Sequence, residues 1–180
     1  MSVPRGGVYL GLGANLGDPA QQLRRALAQL QGDGAIRLLR CSTFHRTAPW
    51  GRLDQPEFVN AVAEIDTALE PDALVEALLA TERALGRQRD AGRWGPRLID
   101  LDLLLYRERE LALPGCRVPH PRLAERAFVL VPLAELAPDA RVPGLGSVAQ
   151  CLQRLSPAER ATVLPGTGSV ALEAAAPQAR

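Results

Sequence analysis

Leu98-Ile99-Asp100-Leu101-Asp102-Leu103-Leu104-Leu105-Tyr106 is an apolar run of strand length broken only by two aspartates one residue apart. Side chains alternate across a strand, so this spacing predicts both carboxylates on one face, with Ile99, Leu101, Leu103 and Leu105 on the other. Immediately upstream lies a polar stretch, residues 86–97, GRQRDAGRWGPR. Before that, Leu74, Leu78 and Leu85 mark the buried stripe of a helix that starts near Pro71 and stops at Gly86. Phe58 to Asp66 reads as a strand, with Phe58, Asn60 and Val62 on one face and Val59, Ala61, Ala63 and Ile65 on the other. Further back, Ile36 to Thr47 alternates as a strand. Asp18 and Pro19 open a helix carrying Leu23, Leu27 and Leu30. Val8 to Leu12 forms a first short strand running into the connection GLGANLGD. The order is strand–helix–strand–strand–helix–strand. It predicts an α+β fold with a ferredoxin-like βαββαβ core, its helices packed on a mainly antiparallel sheet.

Downstream, a hairpin is expected around Leu113–Val118, then the loop VPHPRLAER, a helix from Ala127 towards Glu135 and a last amphipathic helix at Val148–Leu155. Residues 1–165 read as one domain. Residues 166–180 are rich in Ala, Gly and Pro without periodicity and read as a disordered tail. The chain has 180 residues, enough for one self-standing core. Its formal net charge of +1 provides no global field to attract nucleic acid or an anionic membrane. All 21 basic residues are arginine, which excludes Schiff-base and P-loop lysine chemistry. Cys41, Cys116 and Cys151 form no CxxC pair and match neither a disulfide framework nor a structural zinc site. No apolar run is long enough to span a bilayer and no signal-peptide core is visible, so a cytoplasmic protein is expected.

The Asp100/Asp102 pair is the first chemical candidate. Two carboxylates this close repel each other, and a shared divalent cation relieves the repulsion; Mg²⁺ suits them because it accepts one or two carboxylates with water and phosphate oxygens. Taken alone, the pair equally fits a solvated strand face. Arg83, Arg87, Arg89, Arg93 and Arg97 lie just upstream, and planar guanidinium forks match phosphate oxygens two at a time. A basic loop alone is only a solvated loop; beside a metal-type carboxylate pair it fits polyphosphate transfer. Trp94, within that loop, suits stacking on a flat ligand. Phe58 and Asn60 could sandwich a heterocycle and read its edge, or be a core ring beside a structural amide. His120 is either a turn histidine or a phosphate donor, and His45 reads as structural. GLGANLGD lacks the Lys-Ser/Thr of a P-loop and reads as a mobile connection, not a nucleotide cradle.

From roughly Val8 to Pro143 the chain resembles the 6-hydroxymethyl-7,8-dihydropterin pyrophosphokinase family. The segment RWGPRLIDLDLLLY carries the resemblance, supported by YLGLGANLGD, RTAPWGRLDQPEFVNAV and VPHPRLAERAFVLVPLAEL. The resemblance implies transfer of diphosphate from ATP to the pterin hydroxymethyl group, with AMP released, in folate biosynthesis. It implies two Mg²⁺ ions on Asp100 and Asp102, with Arg87 and Arg97 on the phosphates. Glu82, Arg89, Arg93, Trp94, His120 and Arg126 would serve the ATP side. Thr47, Ala48, Trp50, Phe58, Asn60 and Phe128 would hold the pterin. A monomer is expected, acting on ATP and a dihydropterin, with no nucleic-acid or membrane partner. Trp50, Phe58, Leu79 and Pro121 depart from the common pattern of the family. The rival readings are another DxD metal-dependent nucleotidyl or glycosyl transferase and, from a different class, an RNA-binding ferredoxin-like module. The acidic pair on the last core strand argues against RNA binding.

Overall fold

The computed structural model describes residues 7–49, 53–87 and 96–170. In chain order these form β1 (Val8–Ala14), α1 (Pro19–Leu30), β2 (Ile36–Cys41), β3 (His45–Thr47), β4 (Phe58–Thr67), α2 (Pro71–Ala84) and β5 (Asp100–Tyr106). The hairpin β6 (Leu111–Leu113) and β7 (Cys116–Val118) follows, with a 3-10 turn at Leu123–Glu125 and α3 (Ala127–Leu136). The chain then runs through β8 (Arg141–Val142), β9 (Gly146–Ser147), α4 (Val148–Arg154), α5 (Pro157–Ala161) and β10 (Val163–Pro165). The main sheet has the order β10-β3-β4-β1-β5, with β2 also on β4, and every pairing in it is antiparallel. Among the described residues no helix is long and apolar enough to cross a membrane.

Helix α1 has 12 residues, a length marginal in water, so tertiary packing must hold it. Asp18 caps it by accepting the Gln21 N–H at 3.0 Å. Leu23, Leu27 and Leu30 are buried against the sheet, each contributing about 2 kcal/mol by area removed from water. Helix α2 ends in a Schellman turn: the Gly86 N–H donates to Arg83 O and the Arg87 N–H to Glu82 O, both at 3.0 Å. Gly86 takes φ +89°, a conformation side chains resist, and this sharp stop returns Arg87 to the flank of its own helix.

Helices cover both faces of the sheet. α1 and α2 pack on Val8, Leu10, Leu12, Ala61, Ala63, Ile65, Leu101 and Leu103. α3 and α4 cover Tyr9, Val62, Leu104 and Leu105. Leu105 is thus on the opposite side from Leu101 and Leu103, contrary to simple alternation. The β1–β5 register slips between Tyr9 and Leu10, which face Leu105 and Leu103, so Leu104 is the extra residue of a bulge.

Three further differences have local causes. The expected strand Ile36–Thr47 is two strands, because Ser42 turns its hydroxyl into the ladder and accepts the Val62 N–H at 2.9 Å. β1 continues through Gly11 and Gly13 to Ala14, so half of GLGANLGD is strand and not a mobile connection. Residues 166–170, expected to begin a disordered tail, run beside Phe44: the Gly166 N–H donates to Phe44 O at 2.8 Å and the Phe44 N–H to Gly168 O at 3.0 Å. Val170 then packs against the α1/α2 core. Residues 171–180 lie outside the described residues.

Candidate active site

The register of three neighbouring strands builds the floor. On the face turned towards α3, β5 presents Asp100 and Asp102, β1 presents Gly13 and Gly11, and β4 presents Asn60 and Val62. Gly13 is paired with both Asp100 and Asn60, and Gly11 with both Asp102 and Val62. At Gly13 this leaves a gap without a side chain between Asp100 and Asn60, whereas the Leu104 side chain fills the space over Gly11.

Asp100 is gripped by two arginines. Arg87 Nη1 lies 2.9 Å from its Oδ1 and Arg97 Nη1 2.5 Å from its Oδ2. Arg87 also pairs with Glu82, which is 3% exposed and whose Oε1 accepts the Leu101 N–H at 2.7 Å. Glu82 thus joins α2, β5 and Arg87. Burial raises the Glu82 pKa, against the Leu101 hydrogen bond and Arg87. Burial also works against the Arg87 charge, but Asp100 and Glu82 outweigh it and hold that pKa above its ordinary value. Among the described residues no hydrogen bond or ion pair reaches Asp102. Desolvation, and then repulsion from Asp100, push its pKa up to about 7, with Arg126 and Arg97 only partly offsetting them.

Arg97 is fixed through its backbone. Its N–H donates to Asn15 Oδ1 at 2.8 Å, and its carbonyl accepts the Asn15 N–H at 3.0 Å. The Asn15 amide, 2% exposed, also donates to Gln55 Oε1 at 3.0 Å and Pro56 O at 3.1 Å, tying β1, the approach to β4 and the approach to β5 together.

Two cavities meet at Asp102. The first, about 550 Å³, has Gly11, Gly13, Thr47, Ala48, Pro49, Phe58, Asn60 and Phe128 on its walls, with Asp100, Asp102 and Arg97 at one end. Asn60 Nδ2 donates to Thr47 Oγ1 at 2.7 Å, which sets the orientation of the amide. Glu125, Glu159 and Thr162 also line this cavity. The second, about 650 Å³, is lined by Arg97, Arg117, His120, Arg122 and Arg126 together with Asp102 and the β6–β7 hairpin. His120 Nδ1 accepts the Arg122 N–H at 3.2 Å. Burial, then Arg126, lowers the His120 pKa, so at neutral pH the ring is uncharged with its proton on Nε2. Burial, then Arg122, likewise lowers the Arg126 pKa. Its guanidinium lies 5.5 Å from the centre of the Phe128 ring.

A family model described as 7,8-dihydro-6-hydroxymethylpterin-pyrophosphokinase (HPPK) matches residues 9–138. The chain belongs to the HPPK family. It is similar to a 2-amino-4-hydroxy-6-hydroxymethyldihydropteridine pyrophosphokinase of Methylorubrum extorquens, 47% identical over 149 residues, covering 83% of this chain and 93% of the relative. It is likewise similar to one of Pseudomonas aeruginosa, 49% identical over 136 residues, covering 76% and 83%. Among solved structures, an HPPK-DHPS in complex with substrates superposes with a TM-score of 0.63 at 12% identity, over 83% of this chain and 43% of that one. The wild-type Plasmodium falciparum HPPK-DHPS with STZ-DHP gives 0.65 at 11%, over 84% and 43%. The chain thus spans less than half the length of those chains, and at such identity the likeness is one of fold.

Of the residues singled out from the HPPK motifs, Glu82, Arg87, Arg97, Asp100 and Asp102 converge. His120 and Arg126 line the second cavity; Thr47, Ala48, Phe58, Asn60 and Phe128 line the first. Trp50, Arg89, Arg93 and Trp94 lie outside the described residues. The sequence reading missed Gly11, Gly13, Asn15 and Arg122. For the glycines a signal existed: two of them at i and i+2 within a strand pattern share one face and leave it bare. Asn15 carried no such signal, since its partners are 40, 41 and 82 positions away.

Proposed function

We propose that the chain transfers the terminal diphosphate of ATP to the hydroxymethyl group of 6-hydroxymethyl-7,8-dihydropterin, releasing AMP, as a Mg²⁺-dependent enzyme of folate biosynthesis. One observation carries the reading: the Asp100/Asp102 pair lies where an aromatic-walled cavity meets an arginine-lined one. The first suits a flat heterocycle between Phe58 and Phe128, with Thr47, Ala48 and Asn60 around its edge. The second suits a triphosphate, with Arg126 and the Nε2–H of His120 as donors and Glu82 supporting Arg87 from the ATP side. Trp50 on the pterin, and Arg89, Arg93 and Trp94 on ATP, complete the proposal.

The donor set fits Mg²⁺. Two hard carboxylate oxygen groups share one strand face, and one of them, Asp102, has no hydrogen-bonding partner among the described residues. No set of three or more His, Cys, Asp or Glu converges there among the described residues, so phosphate oxygens and water would complete the octahedra. Asp100 and Asp102 would hold two ions, which when bound supply charge compensation around the β-phosphate. Arg87 and Arg97, now paired with Asp100, would exchange that partner for phosphate oxygens when the nucleotide and metal bind. The protein contributes position and charge, with no covalent intermediate: the pterin oxygen attacks the β-phosphorus in line and AMP leaves.

Phosphorus NMR of a quenched mixture of protein, MgATP and 6-hydroxymethyl-7,8-dihydropterin tests this directly. AMP and pterin diphosphate are expected in equal amounts, and neither without the pterin. ADP or free pyrophosphate as the main product would refute the assignment.

A further inference from the structure

Gly11 and Gly13 both sit inside β1 with φ outside the left-handed region. Backbone conformation therefore does not call for glycine at either, and glycine within a strand is destabilising relative to alanine. The reason must lie in the space above each. Over Gly11 that space is filled: an added Cβ would meet Leu104 Cδ2 at 3.3 Å, and Leu104 is 1% exposed. Gly11 therefore serves packing of the bulge. Over Gly13 an added Cβ would meet a single atom within 4 Å, Asn60 Oδ1, at 3.0 Å.

That oxygen belongs to a residue only 7% exposed. Its amide partner Nδ2 is engaged by Thr47 Oγ1 at 2.7 Å, while no donor among the described residues reaches Oδ1. Gly13, Asn60, Thr47 and Asp100 all line the first cavity. Asn60 and Asp100 are both paired with Gly13, from opposite sides, so their backbones are about 10 Å apart across β1. A fused bicycle with a one-carbon arm spans such a gap.

We infer that Gly13 is a positioning residue for the heterocyclic substrate. Its missing side chain lets the Asn60 carboxamide lie over β1 with Oδ1 on the cavity face, which sets the spacing between the group reading the ring edge and the carboxylates at the reacting end. The inference rests on the pterin reading above. It makes Gly13 a discriminator between the two substrates, since the arginine-lined cavity does not include it.

The test is Gly13→Ala in the full chain, with steady-state kinetics in both substrates and thermal unfolding. The expected result is a KM for the dihydropterin raised tenfold or more, a KM for MgATP within twofold of wild type, and a melting temperature no lower than wild type. A folded variant with unchanged pterin KM overturns the inference, as does an equal rise in both KM values. Should Gly13→Ala fail to fold, it is combined with Asn60→Ser, which removes the obstructing oxygen. The double variant must then fold and match the pterin KM of Asn60→Ser alone. A double variant that is unfolded, or weaker by tenfold, shows that Gly13 does not act through Asn60 and overturns it. Absence of any pterin turnover by the wild-type chain removes the proposed function itself, an outcome distinct from unchanged kinetics in Gly13→Ala.

Discussion

Asp102→Asn should make the metal-free protein more stable while abolishing turnover. Asp102 is held in a partly buried position beside Asp100, and its pKa is raised from the ordinary carboxylate value to about 7. A raised carboxylate pKa means that folding disfavours the charged form. Below about pH 4 both states are protonated and nothing is lost. As pH climbs from about 4 to about 7 the folded state resists giving up the proton and stability falls, reaching its full loss above about pH 7. A shift of about three units corresponds to at most roughly 4 kcal/mol, and water reaching the partly exposed side chain leaves about 2–4 kcal/mol of this. Asparagine keeps the shape and removes the charge. In EDTA at pH 8 its melting temperature should therefore exceed that of wild type by about 5–10 °C for a domain of this size, and the difference should vanish near pH 4. Scanning calorimetry at both pH values, with single-turnover kinetics at pH 8, reads all of this. No stabilisation at pH 8, or an equal gain at both pH values, would refute the argument that desolvation and carboxylate repulsion burden the empty site.

Arg87→Ala and Arg97→Ala should each slow the single-turnover rate by at least tenfold while leaving pterin affinity within about threefold, because phosphate contacts strengthen as charge moves in the transition state. Loss of pterin affinity alone would mean that these side chains serve the other substrate. Gly86→Ala should cost about 1 kcal/mol or more, measured by urea unfolding, since φ +89° at that Schellman turn strains any Cβ. Turnover should fall with it, as Arg87 is the next residue; a neutral effect on both would remove the turn from the account of the site. At the far end of β5, Arg107 and Glu108 have φ of 49° and 52° in a turn closed by Arg109 N–H to Tyr106 O at 3.0 Å. Glu108→Gly should relieve strain and stabilise by about 0.5–1 kcal/mol after the entropy of the unfolded glycine is deducted. Lower stability in urea would contradict this.

Much of the architecture was legible in local pattern. The alternation in Phe58–Asp66, the leucine stripes of α1 and α2, and Gly86 as a helix stop correspond to what the sheet and helices do. The places where pattern failed share one cause. Ser42 breaks a strand because its hydroxyl competes for a ladder hydrogen bond, and Leu104 shifts the β5 register because β1 leaves room for it. Residues 166–170 follow Phe44 because backbone partners are available on that edge. In each case the deciding partner is distant in sequence.

By itself, the sequence determined the order of the core elements from β1 to β5 apart from the break at Ser42, the presence of two carboxylates on one strand face, the arginine supply just before them and the family. These rest on periodicity and on adjacent residues, which a linear string records. Only the tertiary structure decided that Glu82 braces Arg87 and β5, that Asn15 holds Arg97, and that two cavities join at Asp102. The bare floor at Gly13 beneath the Asn60 amide also belongs to that set. Such features depend on register between strands and on desolvation, and both arise only when segments 19 to 82 residues apart are brought within a few ångströms.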